Sequence, residues 1–189
     1  MLAITVDAAE VAAAWSRRLD GHPVTGTDDF FFDLGGNSLL GAAIVADLAD
    51  RTGLPLELRD LYLAPTPDEL AGYLRSLAER LTDLRQQAGD RVWSLDAFAT
   101  ALADLGPAAA GSLLPPDATV RFAPLGATAG PPIGGAARIA ELRRARGNGG
   151  CERVVGDTGP GVALRRHDRV VRITHSPGPE VLLTEEPVD

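Results

Sequence analysis

Ser38 is the hydroxyl of this chain set in a chemically suggestive context. It lies in Asp28 to Leu40, D-D-F-F-F-D-L-G-G-N-S-L-L, where a hydrophobic block (Phe30, Phe31, Phe32, Leu34) runs into Gly35 and Gly36. After Asn37, the serine opens an apolar periodic segment. That order describes a loop anchored in a core and delivering a hydroxyl at a helix start. An anion attached to Ser38 would sit beside the free backbone N–H groups and the positive end of the helix. The two glycines would leave room for a visiting protein or phosphate to approach the backbone. A serine hydroxyl in water is a poor nucleophile and no general base stands near Ser38 in the sequence, so the chain is not expected to catalyse a modification of that serine itself. For a lone G-G-x-S, the alternative is a plain N-cap serine.

Elsewhere, His167, Asp168, His175 and Cys151 are the only plausible catalytic or metal-binding residues of the second half. No two of them have the spacing of a ligand or triad motif, and a hairpin turn accounts for His167 and Asp168 without chemistry. His22 and the pair Asp28/Asp29 lack a second nearby His or Cys and read as solvated loop residues, so no metal site and no catalytic residue is expected. G-D-T-G-P-G, from Gly156, lacks the strand, helix and lysine context of a phosphate loop and reads as a turn. Arg138, Arg143, Arg144 and Arg146 would make either a basic patch or, more in keeping with one short helix, a solvated face.

The elements that must position Ser38 are helices. Asp7 followed by Glu10 is a capping-box pattern, and Val11, Trp15 and Leu19 then recur along one face until Gly21 and Pro23 stop the helix. A polar loop follows, and Phe30 to Phe32 are expected to plug into the core. The second helix should run from Ser38 to about Arg51 and close at Gly53, with Leu40, Ile44, Val45 and Leu48 as its buried stripe. That stripe leaves Leu39, Ala42, Ala43 and Ala46 turned outward, as a contact surface or simply as good helix formers. A short helix is expected around Leu58 to Leu63, and Thr66 to Glu69 is a strong start signal for a fourth, continuing to about Gln87 before Gly89.

F-F-D-L-G-G-N-S-L-L resembles the phosphopantetheine attachment signature of acyl and peptidyl carrier proteins, and its double glycine is more similar to the peptidyl carriers of nonribosomal peptide synthesis. Gly53 to Leu74, G-L-P-L-E-L-R-D-L-Y-L-A-P-T-P-D-E-L-A-G-Y-L, has the order and spacing that such carriers show after their serine. The resemblance covers roughly Val6 to Leu81. It implies an all-α, four-helix acyl-carrier-like bundle over residues 6–81, with 4'-phosphopantetheine joined covalently to Ser38 by a phosphopantetheinyl transferase that uses coenzyme A and a divalent metal. The arm would hold a substrate as a thioester. Asp33, Leu34, Gly35, Gly36, Asn37 and Leu39 would frame the attachment site. Leu39, Ala42, Ala43 and Ala46, with Leu61 and Tyr62, would form the docking surface for an adenylation or acyl-loading enzyme and a downstream condensation or tailoring enzyme. Asn37 departs from the pattern, which more often has Asp or His there, and removes a charge beside the serine.

Residues 82–91 read as a linker or helix extension. Residues 92–189 resemble no family and read as a small α+β domain with an antiparallel sheet. A helical segment near Ser94 to Leu105 leads into a Gly-, Pro- and Ala-rich stretch. Thr119 to Ala123 reads as a strand and Ala136 to Arg146 as a helix broken by G-N-G-G. Glu152 to Val155, Val162 to Arg166, Arg169 to Thr174 and Glu180 to Thr184 read as further strands, with turns at D-T-G-P-G, H-D and S-P-G-P. A free-standing carrier with a docking domain is the expectation. The alternatives are an enzyme whose second half acts on the tethered substrate, or a four-helix interaction module that never receives the arm.

Composition supports the division. The chain has 189 residues, 45% hydrophobic and 23% charged, and all 18 basic residues are Arg. Residues 1–80 hold 13 acids against 6 Arg (net −7), and residues 81–189 hold 13 against 12 (net −1). An acidic front half disfavours nucleic acid or anionic membrane as partner and favours basic docking surfaces. One cysteine makes no internal disulfide, and no basic-then-apolar leader or membrane-length apolar run is present, so a cytoplasmic location is expected.

Overall fold

The computed structural model describes residues 6–87, 94–147, 151–154, 161–167, 169–175 and 180–188. The chain divides into two compact units, Met1–Arg80 and Leu81–Asp189.

The first unit is helical. α1 (Ala8–Arg18) starts at the Asp7–Glu10 capping box, which closes in both directions, and buries Val11, Ala14 and Trp15. α2 (Ser38–Thr52) buries Gly41, Ile44, Val45 and Leu48 and ends at Gly53, whose φ of 66° is a left-handed cap that glycine adopts without a Cβ penalty. α3 (Leu58–Leu63) and α4 (Pro67–Gln87) follow, α4 beginning at the reciprocal Thr66–Glu69 bonds. α2 and α3 approach closely because residue 41 is glycine; a Cβ there would come within 3.0 Å of Leu58 and 3.1 Å of Leu61.

The long loop from Gly21 to Asn37 is shaped by carboxylates. Asp28 accepts from the Thr25 amide at 2.7 Å, and this bond holds its carboxyl below the usual value. Asp29 accepts from the amides of Phe31 and Phe32 at 2.8 and 2.9 Å, so the pair has a structural role as a turn builder and is not simply solvated. The aromatic block does not plug in as a whole. Phe30 is fully buried, Phe31 is half-buried and Phe32 is 90% exposed. A turn points consecutive side chains in different directions, so one of the three reaches the core. Phe31 continues a ladder outward: Phe30 meets Trp15 edge-on at 5.3 Å, Phe31 meets Phe30 at 4.9 Å, and Phe31 stacks on Tyr62 of α3 at 4.5 Å.

The second unit is α+β. α5 (Leu95–Thr100) is capped by Ser94 and passes into a π turn (Ala101–Leu105), with Phe98, Leu102 and Leu105 buried. The Gly/Pro/Ala stretch then forms α6 (Pro107–Leu113), a helix that its breaker-rich letters do not announce. Gly106 takes φ 107°, Pro107 sits at the first helical position where its missing N–H is harmless, and Ala109, Ala110 and Gly111 pack inward. β1 (Thr119–Ala123), a 3-10 turn (Gly135–Ala137), α7 (Arg138–Arg146), β2 (Glu152–Arg153), β3 (Val162–Arg166), β4 (Arg169–His175) and β5 (Glu180–Pro187) complete it. The expected strand end Val155, the D-T-G-P and S-P-G-P turns, Gly89, the breaker residues Asn148 to Gly150 and Asp168 lie outside the described residues.

The sheet corrects the antiparallel expectation. Its order is β1-β5-β4-β3-β2, and β1 pairs with β5 in parallel, Thr119 opposite Glu180, while the other pairs are antiparallel. Hairpin signals reveal the antiparallel neighbours, whereas a strand whose partner lies some 60 residues onward carries no local mark of direction. Val120, Phe122, Leu164, Val171, Ile173, Val181 and Leu183 build the buried face, on which α5 and α7 pack.

Candidate functional site

Ser38 is the first residue of α2 and is exposed. It does not cap the helix. That role falls to Asn37, in extended backbone (φ −130°, ψ 172°), whose Oδ1 accepts from the Leu40 amide at 3.0 Å while its carbonyl accepts from Gly41 at 2.8 Å. Among the described residues no hydrogen bond engages Ser38 Oγ, and the Ser38 and Leu39 amides also stay open at the positive end of α2. The hydroxyl is therefore presented rather than used.

The two glycines have separate causes. Gly35 adopts φ 64°, the left-handed region, and a Cβ there would meet nothing within 4 Å, so it turns the chain and leaves open surface beside the serine. Gly36 faces inward. A Cβ at that position would lie 2.5 Å from the Phe30 carbonyl oxygen, which also accepts the Gly36 amide at 2.7 Å. The expected room for a visitor is thus real at Gly35, and at Gly36 glycine instead lets the loop close on the buried Phe30. Asp33 is exposed and its carboxylate accepts from the Asp29 amide at 2.8 Å, while Leu34 is half-buried.

Leu39, next to Ser38 in the chain, is 83% exposed, and on α3 Tyr62 is 55% and Leu63 72% exposed. Ala42 and Ala46 are exposed and Ala43 is half-buried. Leu61 does not share this surface, because it is fully buried against Gly41 and belongs to the core. A six-residue helix is too short for its pattern to fix which face turns inward. In the first unit Phe32 and Leu63 are exposed apolar side chains that sequence reading missed; the parity of a turn and of a short helix gave no signal for them.

Beneath α3 lies a polar group that the sequence did not disclose. Asp60 is buried; it accepts from the Tyr73 hydroxyl of α4 at 2.8 Å and from the Glu57 amide at 2.8 Å, with Arg59 Nε at 3.6 Å. Burial pushes the Asp60 carboxyl above its usual value, its hydrogen bonds opposing, and burial likewise raises Tyr73. The pair pins α3 to α4.

Of the residues of the second unit that could do chemistry, the two histidines are kept apart. His167, with φ 53°, is exposed in the turn before β4, and His175 is exposed at the far end of that strand, roughly 25 Å away at strand rise. Cys151 is half-buried, and burial raises its thiol pKa, which disfavours the thiolate. The arginines of α7 are neither a uniform patch nor a solvated face. Arg138 donates to the carbonyls of Pro115 at 2.7 Å and Gly111 at 2.9 Å, and Arg146 donates to Leu102 at 2.8 Å. Both staple α7 to neighbouring chain ends. An open cleft of ≈ 540 Å³ is lined by Ala140, Arg143, Arg144, Gly147 and Arg166. Within it Arg166 bonds Glu185 at 2.8 Å and the Ala145 carbonyl at 3.1 Å, and Arg144 bonds the buried Glu141 at 2.9 Å.

Residues 9–74 match the family model described as the phosphopantetheine attachment site. Over 91 residues, 48% of this chain, the sequence is 35% identical to phosphinothricin tripeptide synthetase of Streptomyces viridochromogenes, of which this covers 7%. It is 39% identical over 67 residues to surfactin synthase subunit 1 of Bacillus subtilis (35% of this chain, 2% of the relative), and 39% identical over 62 residues to indigoidine synthase of Streptomyces lavendulae (33% and 5%). The chain thus spans less than a tenth of the length of these curated relatives. Proteins of the matched family carry 4'-phosphopantetheine covalently on a serine, and an exposed, unbonded hydroxyl beside open amides fits a phosphodiester. Residues 9–74 of this chain are a peptidyl carrier domain with a phosphopantetheine attachment site.

Proposed function

We propose that Ser38 is the attachment point and that the chain displays a substrate, held as a thioester on the phosphopantetheine arm, to biosynthetic enzymes. The observation that carries this reading is the division of labour at the start of α2, where Asn37 caps the helix and the Ser38 hydroxyl is left exposed and unbonded. The arm supplies a thiol for thioester chemistry, and its length raises the effective concentration of cargo at a partner's active site. The chain's own residues set the geometry. Gly35 keeps the approach open, the Ser38 and Leu39 amides face the phosphate, and Phe30 anchors the loop. Leu39, Ala42, Ala46, Tyr62 and Leu63 form the surface on which a phosphopantetheinyl transferase, an adenylating or acyl-loading enzyme and a condensing or tailoring enzyme would dock.

Incubating the apo-protein with coenzyme A, Mg²⁺ and a broad-specificity phosphopantetheinyl transferase should add one phosphopantetheine to the intact chain. Ser38→Ala should take none. An unmodified wild type would favour a plain helical interaction module.

The helices over residues 8–87 serve as a four-helix carrier bundle on this reading, and the second unit serves partner docking. Support for docking is that Arg138, Arg146 and Arg166 are committed to backbone carbonyls and Glu185, which leaves the unit a fixed scaffold. Hydrogen exchange of the full chain with a loading enzyme tests it. Protection confined to residues below 80 would remove docking from the account.

A further inference from the structure

α3 has only six residues, and it carries two of the exposed side chains assigned above to docking, Tyr62 and Leu63. A segment of that length is not a stable helix by itself, so its pose comes from what holds it. Leu58 and Leu61 sit over Gly41 of α2, and Tyr62 lies on Phe31 with the rings 4.5 Å apart and 9° from parallel. The remaining hold is polar. Asp60, 2% exposed, accepts from the Glu57 amide at the start of α3 through Oδ2 and from the Tyr73 hydroxyl of α4 through Oδ1, each at 2.8 Å. Both oxygens of one buried carboxylate are thus engaged, one towards each helix.

An apolar residue at position 60 would hold α3 against α4 without the cost of burying a carboxylate, but apolar contact is non-directional and a short helix can roll on it. A hydrogen bond fixes an angle as well as a distance. Asp60, Tyr62 and Leu63 share less than two turns of one helix, so a roll that stretched the Tyr73 bond would lift Tyr62 from Phe31 and turn Leu63. We infer that Tyr73, acting through Asp60, is a positioning residue for partner recognition: its hydroxyl sets the roll of α3 and so the pose of Tyr62 and Leu63. The inference rests on the docking surface proposed above. It separates the side chains that a partner touches from the pair beneath that aims them.

The test is the kinetics of arm attachment to the full chain, with coenzyme A, Mg²⁺ and a phosphopantetheinyl transferase and the chain as varied substrate. Tyr73→Phe removes one hydroxyl and keeps the ring, so the first unit should stay folded, and a role in stability alone then leaves KM unchanged. On this inference KM for the chain rises roughly three- to ten-fold, the equivalent of one hydrogen bond, with kcat within about two-fold. Asp60→Asn can still accept from the Glu57 amide and donate to the Tyr73 oxygen, and should keep the wild-type KM. In a Tyr62→Ala background, Tyr73→Phe should add less than about two-fold, because the residue it positions is gone. The chain has two tyrosines, so in Tyr73→Phe the tyrosine ring signals in proton NMR belong to Tyr62 alone. They should move away from their stacked positions there and not in Asp60→Asn. An unchanged KM in folded Tyr73→Phe, or losses that multiply in the double variant, would overturn the inference. Were Tyr73→Phe not to fold, Tyr73→Phe/Asp60→Leu removes the link without leaving a carboxylate buried alone and carries the same test. A wild type that takes no arm would contradict the proposed function instead, and the Tyr62 signals would then decide this inference.

Discussion

The start of α2 in the first unit and the buried face of β5 in the second handle polar groups in opposite ways. At the start of α2 a hydroxyl and two amides are unengaged, and a neighbouring amide side chain does the capping that would otherwise claim the serine. On β5 a charged group is used up internally. Glu185, buried on β5, takes Arg166 at 2.8 Å, Arg169 at 2.9 Å and the Leu125 amide at 3.1 Å. Motif residues and charged residues therefore need separate tests. The former matter when they are left free, and the latter here hold the fold.

The largest expected effect tests the second half of that contrast. Glu185→Ala leaves Arg166 and Arg169 facing each other without their shared carboxylate, and should cost about 3 kcal/mol in urea unfolding followed through the sheet. A loss near zero would mean that the arginines find water or other partners, and the contrast would weaken.

Gly36→Ala should destabilise the first unit by about 1–3 kcal/mol, because its Cβ meets the Phe30 carbonyl oxygen that anchors the loop. Gly35→Ala should cost only the left-handed backbone penalty, about 1–2 kcal/mol, with no collision. Denaturant midpoints for the pair sharpen the distinction between a glycine kept for internal packing and one kept for an open approach. Asn37→Ala should cost about 1 kcal/mol through loss of the cap, whereas Ser38→Ala should leave stability within about 0.5 kcal/mol.

The Asp60 contribution is the smallest and depends on pH. Because its folded pKa is raised above the ordinary 3.8, the folded state holds its proton more tightly than the unfolded one. The contribution of this group to stability is therefore fully present below pH 3.8 and is lost as pH rises through the folded value. Asp60→Asn should flatten the pH dependence of unfolding of the first unit in that window, measured by urea titration at stepped pH. An unchanged slope would show that another group titrates there.

These contrasts also explain what could be read from letters. Capping boxes at Asp7–Glu10 and Thr66–Glu69, the Gly53 stop and the Ser38 motif are local devices, and each appears where the sequence placed it. β3, β4 and β5 are likewise marked by alternation and hairpin turns. Facing is less legible. Leu61 and Phe32 exchanged their expected places, since six residues of helix or three of turn do not fix a side, and only the approach of Gly41 and Phe30 decides it. The parallel β1–β5 pair and the Arg138 and Arg146 staples join segments tens of residues apart, and no local pattern announces them.

The central claim is that the free hydroxyl at the start of α2 is where the arm is joined. Trypsin releases it in the peptide Leu19–Arg51, in which Ser38 is the sole serine. After treatment with coenzyme A and a phosphopantetheinyl transferase, tandem mass spectrometry should find one phosphopantetheine in that peptide, ejected as pantetheine and localised to Ser38. A modification on any other peptide, or on Thr25 or Thr27 within this one, would contradict the claim.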